Sequence, residues 1–155
     1  MSTFEQLATN QVLISAITGW FIAQVLKTII DLWYTKSFSL ERLWGSGGMP
    51  SSHSATVCGL AVAAACRYGL SSFEFGVSMI FAIVVMHDAM GVRRETGKQA
   101  RILNIIMRSE VLDREHPWDF EETLKEFVGH TPLQVLMGAI LGTLIALVLN
   151  NLMYS

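Results

Sequence analysis

The sequence has few charged residues. Asp, Glu, Lys and Arg make up 15% of it, whereas a soluble domain usually carries about 25%. Hydrophobic residues account for 52% of the 155 positions. The net charge of −2 offers no excess of positive charge for a polyanion, so we expect no nucleic-acid partner. This composition favours an integral membrane protein over a soluble globule.

Cysteine, a leader sequence and several common catalytic motifs are also scarce or missing. Cys58 and Cys66 lie about 12 Å apart on a straight helix, too far for a disulfide, so we expect two buried packing residues. No basic region precedes the first apolar run, so we expect no cleaved signal peptide. There is no Walker loop, no paired-cysteine zinc motif and no G-x-S-x-G. The length predicts a single domain, 1–155.

Long apolar runs predict an all-α membrane bundle with about four transmembrane helices. A polar, partly helical segment over 94–129 separates the third from the fourth, and its stretch 95–107 has an amphipathic pattern. Residues 1–10 read as a short polar lead. The predicted spans cover 11–34, 51 or 52 to 68, 72–93, and 131 or 132 to 149.

The first predicted span carries three polar residues on one face: Gln24, Lys27 and Asp31 fall at i, i+3 and i+7. Charged side chains at membrane depth usually point into a bundle and mark a site. Alternatively, Lys27 and Asp31 form an interfacial pair near the helix end, with Lys27 reaching toward the headgroups. Both interpretations stay open.

The stretch 47–55 (GGMPSSHSA) combines features of an anion-binding helix start. Two glycines allow close approach of the backbone, and a proline and two serines, Ser51 and Ser52, are typical of a helix N-terminus. The exposed N–H groups of such a turn favour phosphate, and His53 would lie beside the bound anion. The alternative is a capped helix with a surface histidine.

Two further stretches, 87–94 (HDAMGVRR) and 129–138 (GHTPLQVLMG), carry similar residues. Arg93 and Arg94 suit bidentate contacts to phosphate oxygens, although a stop-transfer pair among lipid headgroups has the same appearance. Asp88 needs a partner at the edge of an apolar helix, and His130 precedes a helix start. Gly138 and Gly142 provide a smooth face for close helix packing, within the chain or between copies in a homo-oligomer.

With four spans, all three stretches meet at one membrane face. The same side carries most of the basic residues, and the other side has Arg67. The positive-inside rule then predicts a site that faces the cytoplasm. The basic residues on the site's side are Lys36, Arg42, Arg93, Arg94, Lys98, Arg101, Arg108, Arg114 and Lys125.

Two histidines at two helix starts, with nearby cations, suit phosphoryl transfer without a metal or cofactor. One histidine would attack phosphorus and the other would protonate the leaving oxygen, while the cations stabilise the charge on the phosphoryl group. A metal-assisted reaction through His53, His87, Asp88 and His130 is the alternative. No close pair of ligands at metal-binding spacing supports it.

These motifs resemble the type-2 phosphatidic acid phosphatase superfamily, which includes the vanadium haloperoxidases, and in particular its small divergent branch of membrane proteins. The stretch 49–55 is similar to the family's P-S-G-H signature, with Ser52 in place of Gly. The stretch 129–138 is similar to its G-x-H-x-P-x-D-V-x-x-G segment. The resemblance implies that His130 is the nucleophile, that His53 protonates the leaving group and that Ser52 contacts the phosphate.

Three departures from the family pattern concern the charged groups. Lys27 lacks the Arg-Pro that follows at a fixed spacing, and Arg93 and Arg94 lie on another helix, far upstream of the nucleophile. Gln134 replaces the usual aspartate four residues after His130, and Asp88 is our candidate for the missing carboxylate.

We therefore expect a lipid phosphate phosphatase of the plasma membrane, acting on a phosphatidylglycerophosphate, phosphatidate or isoprenyl phosphate. Lys27, Ser51, Ser52, Arg93 and Arg94 would bind its substrate. The alternatives are a transporter or scaffold that binds an anion without turning it over, and a metal-dependent hydrolase.

Overall fold

The computed structural model describes residues 2–36, 48–108, 124 and 129–154, and within these ranges the chain is helical with no strand. The helices are α1 (Thr3–Ala8), α2 (Gln11–Thr35), α3 (Ser52–Tyr68), α4 (Phe73–Met90), α5 (Val92–Arg108) and α6 (Pro132–Tyr154). The predicted all-α class is confirmed.

The described residues contain three stretches long and apolar enough to cross a membrane, namely Gln11–Thr35, Phe73–Met107 and Pro132–Met153. Helix α3 has 17 residues, the lower end of the range of about 17–25 residues that spans a bilayer. It is rich in alanine and packs against α2, α4 and α6. The predicted helical membrane bundle is thus confirmed, and the predicted count of four spans depends on α3.

Two predicted boundaries differ from the structure for local reasons. The polar lead contains α1, because the Ser2 hydroxyl accepts from the Glu5 N–H and the Glu5 carboxylate accepts from the Ser2 N–H, at 3.3 and 2.8 Å. The third span ends at Met90 rather than at Arg93, because Gly91 leaves the helical conformation (φ −97°, ψ −94°) before α5 begins.

Close backbone contacts between α3 and α6 bring the starts of these two helices together. A Cβ atom added at Gly142 would lie 2.8 Å from the Ala55 carbonyl carbon, and one at Gly138 would lie 3.0 Å from Ser54 Cβ. The predicted smooth face of α6 is therefore in use within the chain. The backbone N–H of Ser51 donates to the Gln134 carbonyl oxygen at 3.0 Å, which ties the two starts directly.

Helix α2 runs in the opposite direction to α3 and α6. At the far end of the bundle, Gln11 of α2 donates to Asn150 of α6 at 3.0 Å. At the near end, Lys27 of α2 reaches Gly48, which precedes α3. The end of α4 meets the start of α6 there as well, because the His130 N–H donates to the Ala89 carbonyl at 3.0 Å. The chain elements that carry the predicted site therefore share one end of the bundle.

The two cysteines are free thiols. Cys58 is half-buried, with its sulfur 3.8 Å from Met86 Sδ, whereas Cys66 is exposed. The predicted burial of Cys66 is wrong, because its position near the end of α3 faces away from the neighbouring helices. Gly47 and the basic residues Arg42, Arg114 and Lys125 lie outside the described residues.

Candidate active site

The rings of His53 and His130 lie next to each other at the shared end of the bundle. Their centroids are 6.1 Å apart and their planes are tilted by 58°. His53 is exposed at the start of α3, whereas His130 is 3% exposed just before α6. At this separation a single ligand can contact both rings, as general acid–base catalysis requires.

The first turn of α3 has unpaired N–H groups. The hydroxyl of Ser51 caps the helix by accepting from the Ser54 N–H at 3.4 Å, and it also accepts from the Ser54 hydroxyl at 3.1 Å. Among the described residues, the N–H groups of Ser52 and His53 have no acceptor. These two donors, at the positive end of the helix dipole, are suited to a phosphate oxygen.

The first turn of α6 is closed by its own side chains. The Gln134 N–H donates to the Thr131 hydroxyl at 3.3 Å, and the Thr131 N–H donates to Gln134 Oε1 at 2.9 Å. This is a capping box, and Pro132 has no N–H to satisfy. Of the first three helical residues, only Leu133 is left with an unpaired N–H in the described part of the chain.

The same glutamine fixes the ring of His130. Gln134 Oε1 lies 3.3 Å from His130 Nδ1, and the Thr131 N–H requires this amide atom to be an oxygen, because a backbone N–H only donates. Nδ1 must then carry the proton in order to donate to Oε1. The other ring nitrogen, Nε2, is left with a lone pair, as a nucleophile needs.

The backbone before His130 is held against the end of α4. Gly129 has no side chain because a Cβ there would fall onto the backbone of Arg94, and it would lie 2.8 Å from the carbonyl carbon of Arg93. With the hydrogen bond from His130 to Ala89, this contact fixes the position of the ring relative to α4 and α5.

Lys27 is directed into the bundle, as one of the two interpretations of its helix face predicts. It is 7% exposed, and its aliphatic chain lies against Gly48, where an added Cβ would be 2.9 Å from Lys27 Cγ. Gly48 has φ +82°, a conformation that favours glycine, and this allows the chain to pass close over Lys27. The positive charge of Lys27 acts on both histidines.

Asp88 and Arg93 pair with each other. Arg93 Nε donates to Asp88 Oδ2 at 2.6 Å, and both side chains are partly exposed. The partner of His130 Nδ1 is Gln134, so the structure does not place Asp88 where the missing carboxylate was expected. The reason is local, since Asp88 already neutralises the arginine that follows it on α5.

The predicted site residues differ in how directly they face the two rings. The positive charges of Lys27 and Arg93 act on His130. Ser52 is buried at the start of α3, with 6% of its surface exposed. Ser51 is fully buried and serves as the helix cap. The side chain of Arg94 is exposed. The backbone of Arg94 contacts Gly129, the residue that precedes His130.

Burial lowers the pKa of His130 below its ordinary value of 6.5, and the positive charges of His53, Lys27 and Arg93 act in the same direction. The hydrogen bond with Gln134 raises it, which opposes the other effects in part. His130 is therefore kept neutral near pH 7, the protonation state in which its ring can attack.

Sequence reasoning missed the roles of Thr131 and Gly129. The spacing Thr131-x-x-Gln134 before an apolar run is a capping-box signal and was available in the sequence. The contact of Gly129 with α5 depends on tertiary packing and had no local signal. Across the described residues, no three metal-binding side chains come together.

Comparison with known proteins adds the family. The model of the Divergent PAP2 family matches residues 8–145. This chain belongs to the Divergent PAP2 family. A relative, the uncharacterized membrane protein YuiD of Bacillus subtilis (strain 168), is 36% identical over 152 residues, which cover 93% of this chain and 96% of YuiD. No solved structure matches.

The family match confirms the resemblance drawn from the sequence. The matched range contains the stretches 47–55 and 129–138, and with them both histidines. Within the Divergent PAP2 family this chain is a helical membrane protein, and its family points to phosphatase-related chemistry.

Proposed function

We propose that the protein is a metal-independent lipid phosphate phosphatase that works through a phosphohistidine. The observation that carries this proposal is the pair of rings, His53 and His130, 6.1 Å apart at two helix starts. One ring is buried with its free lone pair at Nε2, and the other is exposed beside unpaired N–H groups. This asymmetry supports different roles for the two histidines.

Binding comes first. The N–H groups of Ser52 and His53 hold phosphate oxygens at the start of α3. Lys27 and Arg93 supply positive charge on either side, and their charges stabilise the transferring phosphoryl group. Asp88 orients the guanidinium of Arg93 through its hydrogen bond to Nε.

The reaction then has two steps. His130 Nε2 attacks phosphorus, the P–O bond to the lipid breaks, and His53 gives its proton to the leaving oxygen. A water molecule next attacks the phosphohistidine while His53 takes back a proton, so that inorganic phosphate leaves and both rings return to their starting states.

The lipid class follows from the proposed orientation. The excess of basic residues at the site's end of the bundle favours a site that faces the cytoplasm of a plasma membrane. A substrate made in the inner leaflet, such as phosphatidylglycerophosphate or phosphatidate, fits this orientation better than a carrier lipid dephosphorylated outside.

Release of phosphate from these lipids by the purified protein in detergent tests the proposal. We expect activity that persists in EDTA and that is lost in His130→Ala and His53→Ala. His87→Ala is the matched control, because His87 is exposed at the end of α4 and has no role in the reaction. Vanadate, a phosphate analogue, should inhibit.

Other outcomes would select the alternatives. Loss of activity in EDTA would favour a metal-dependent hydrolase, and full activity in His130→Ala would reject the nucleophile. Vanadate binding without turnover of any lipid phosphate would favour an anion-binding transporter or scaffold.

The orientation has its own test, in a Cys58→Ser/Cys66→Ser background. A cysteine at Ser71, in the loop between α3 and α4, should react with a membrane-impermeant thiol reagent on intact cells. A cysteine at Lys98 on α5 should be protected until the cells are opened. Both native positions are exposed. The reverse pattern would place the site outside the cell.

A further inference from the structure

Helix α5 has three distinct faces, and one of them is fixed against the protein. Gly97, Ala100 and Asn104 are buried on this face. The Asn104 side chain donates to the Leu124 carbonyl at 2.9 Å and accepts from the Leu124 N–H at 3.0 Å. These contacts set the rotation of α5 about its axis, so the directions of the other two faces are set as well.

The second face carries a row of exposed apolar side chains. At 100° per residue, four apolar side chains fall within a sector of about 100°, which in the first half of the helix also contains the exposed Glu95 and Gln99. Their exposures are 66% for Val92, 57% for Ile102, 48% for Leu103 and 46% for Ile106. Within the described part of the chain, the helix that α5 contacts most is α4.

The third face is a basic row made of Arg94, Lys98 and Arg101, all exposed and within a sector of about 60°. Glu95 offsets part of this charge, because its carboxylate lies 2.6 Å from Lys98 Nζ in an exposed ion pair. Ile105, 60% exposed, is the apolar exception on this side. The row keeps a net positive charge.

The position of α5 indicates what both rows contact. The helical stretch Phe73–Met107 has 35 residues, about 52 Å of helix, against a hydrocarbon layer of about 30 Å. Because α4 fills the layer, and the chain departs from helical geometry at Gly91, α5 begins at the membrane surface. An apolar row beside a basic row at that depth fits acyl chains and anionic headgroups.

We propose that α5 lies in the membrane–water interface, with its apolar row among the acyl chains and its basic row on the headgroups of anionic lipids. The inference is independent of any catalytic activity. It gives this face of the protein a preference for anionic lipid, next to the site that contains His53 and His130.

Spin labels on single cysteines test the placement in bilayers of phosphatidylcholine with a third of phosphatidylglycerol. Labels at Leu103 and Ile106 should be accessible to oxygen and protected from a water-soluble nickel reagent, whereas labels at Lys98 and Arg101 should show the reverse. Access of the nickel reagent to Ile106, or protection of Ile106 from both reagents, would overturn the proposal. The second result would indicate a protein partner on the apolar row.

The preference for anionic lipid is tested separately. Relative to phosphatidylcholine, spin-labelled phosphatidylglycerol should be enriched around the protein, and Lys98→Gln/Arg101→Gln should reduce this enrichment about two-fold. Arg67→Gln is the matched control, because Arg67 lies at the other end of the bundle, and it should leave the enrichment unchanged. Equal enrichment in the double variant and in the parent would overturn the basic row as the lipid contact.

Discussion

The starts of α3 and α6 lie side by side and are capped in the same way, but the cap has a different consequence in each helix. Both begin with a hydroxyl residue, Ser51 or Thr131, whose side chain accepts from the N–H three residues on. In α3 the cap leaves the N–H groups of Ser52 and His53 without an acceptor among the described residues. In α6 a proline and the glutamine side chain leave one, and the glutamine turns toward His130.

A helix start can thus serve as a binding site or as a support for a neighbouring side chain, depending on which of its N–H groups are already paired within the first turn. In this protein the open start would bind phosphate, and the closed start would hold the nucleophile in one tautomer. The comparison supports the roles proposed for His53 and His130.

The largest expected effect is a loss of kcat, and its dependence on the leaving group should differ between the His53 and His130 variants. His53→Ala should reduce kcat on a lipid phosphate by about 10²–10⁴-fold, because the leaving alkoxide then lacks a proton donor. A phosphate ester with an acidic aryl alcohol needs no such donor, so this variant should release a first burst of aryl alcohol, one per site, at close to the parent rate, and further turnover should be slow because the attacking water then lacks its base. His130→Ala should be inactive on both esters. In His53→Ala, a first-step rate reduced equally on both esters would contradict the role of acid.

Gln134→Leu removes the acceptor that orients the His130 ring. We expect a fall in kcat of about 10²-fold, because small misplacement of a reacting group has effects of this size. Thr131→Val is the matched control, since it deletes the capping hydroxyl and keeps the backbone N–H that holds Gln134 Oε1. It should cost about 1 kcal/mol of stability with kcat nearly unchanged. Similar kcat values for the two variants would indicate that Gln134 caps the helix and does not orient His130.

The pH profile gives a smaller effect of known sign. Because burial and nearby positive charges lower the pKa of His130 from 6.5, the acid limb of kcat/KM should lie below pH 6.5. Gln134→Glu would put a carboxylate next to Nδ1, raise the pKa of His130 and move the acid limb upward. Gln99→Glu, an exposed position on α5, adds the same charge away from the ring and should leave the limb in place. An unchanged acid limb in Gln134→Glu would contradict the contact between residue 134 and His130 Nδ1.

The smallest effect concerns the cap of α3. Ser51→Ala should lower the free energy of unfolding by about 1 kcal/mol and leave vanadate inhibition unchanged, because the N–H groups of Ser52 and His53 remain. Ser72→Ala removes the cap of α4, whose hydroxyl accepts from the Phe75 N–H at 3.2 Å, and should show the same loss in thermal unfolding. Weakened vanadate inhibition in Ser51→Ala alone would make the Ser51 hydroxyl a ligand of phosphate.

Much of this architecture could be predicted from the sequence, because apolar runs, caps and small-residue spacing are local signals. The start of α3 at Ser52 and the close approach at Gly138 and Gly142 followed from such signals. The family was accessible for the same reason, since its motifs are short and contiguous.

The partners of the charged residues could not be predicted, because they depend on how the helices meet. Asp88 was expected beside His130, but Arg93 lies nearer along the chain and takes its carboxylate. Gln134 was read as a weak substitute for a carboxylate. Its link to both Thr131 and His130 emerges only when the first turn of α6 has its observed geometry.

Identification of the nitrogen that carries phosphate is the decisive test of the phosphohistidine mechanism. Rapid quenching of the protein with a labelled lipid phosphate, followed by NMR of the trapped adduct under alkaline conditions, identifies both the residue and the ring atom. We expect phosphate on Nε2 of His130, because Gln134 holds the proton on Nδ1. Phosphate on His53, or on Nδ1 of His130, would contradict the account.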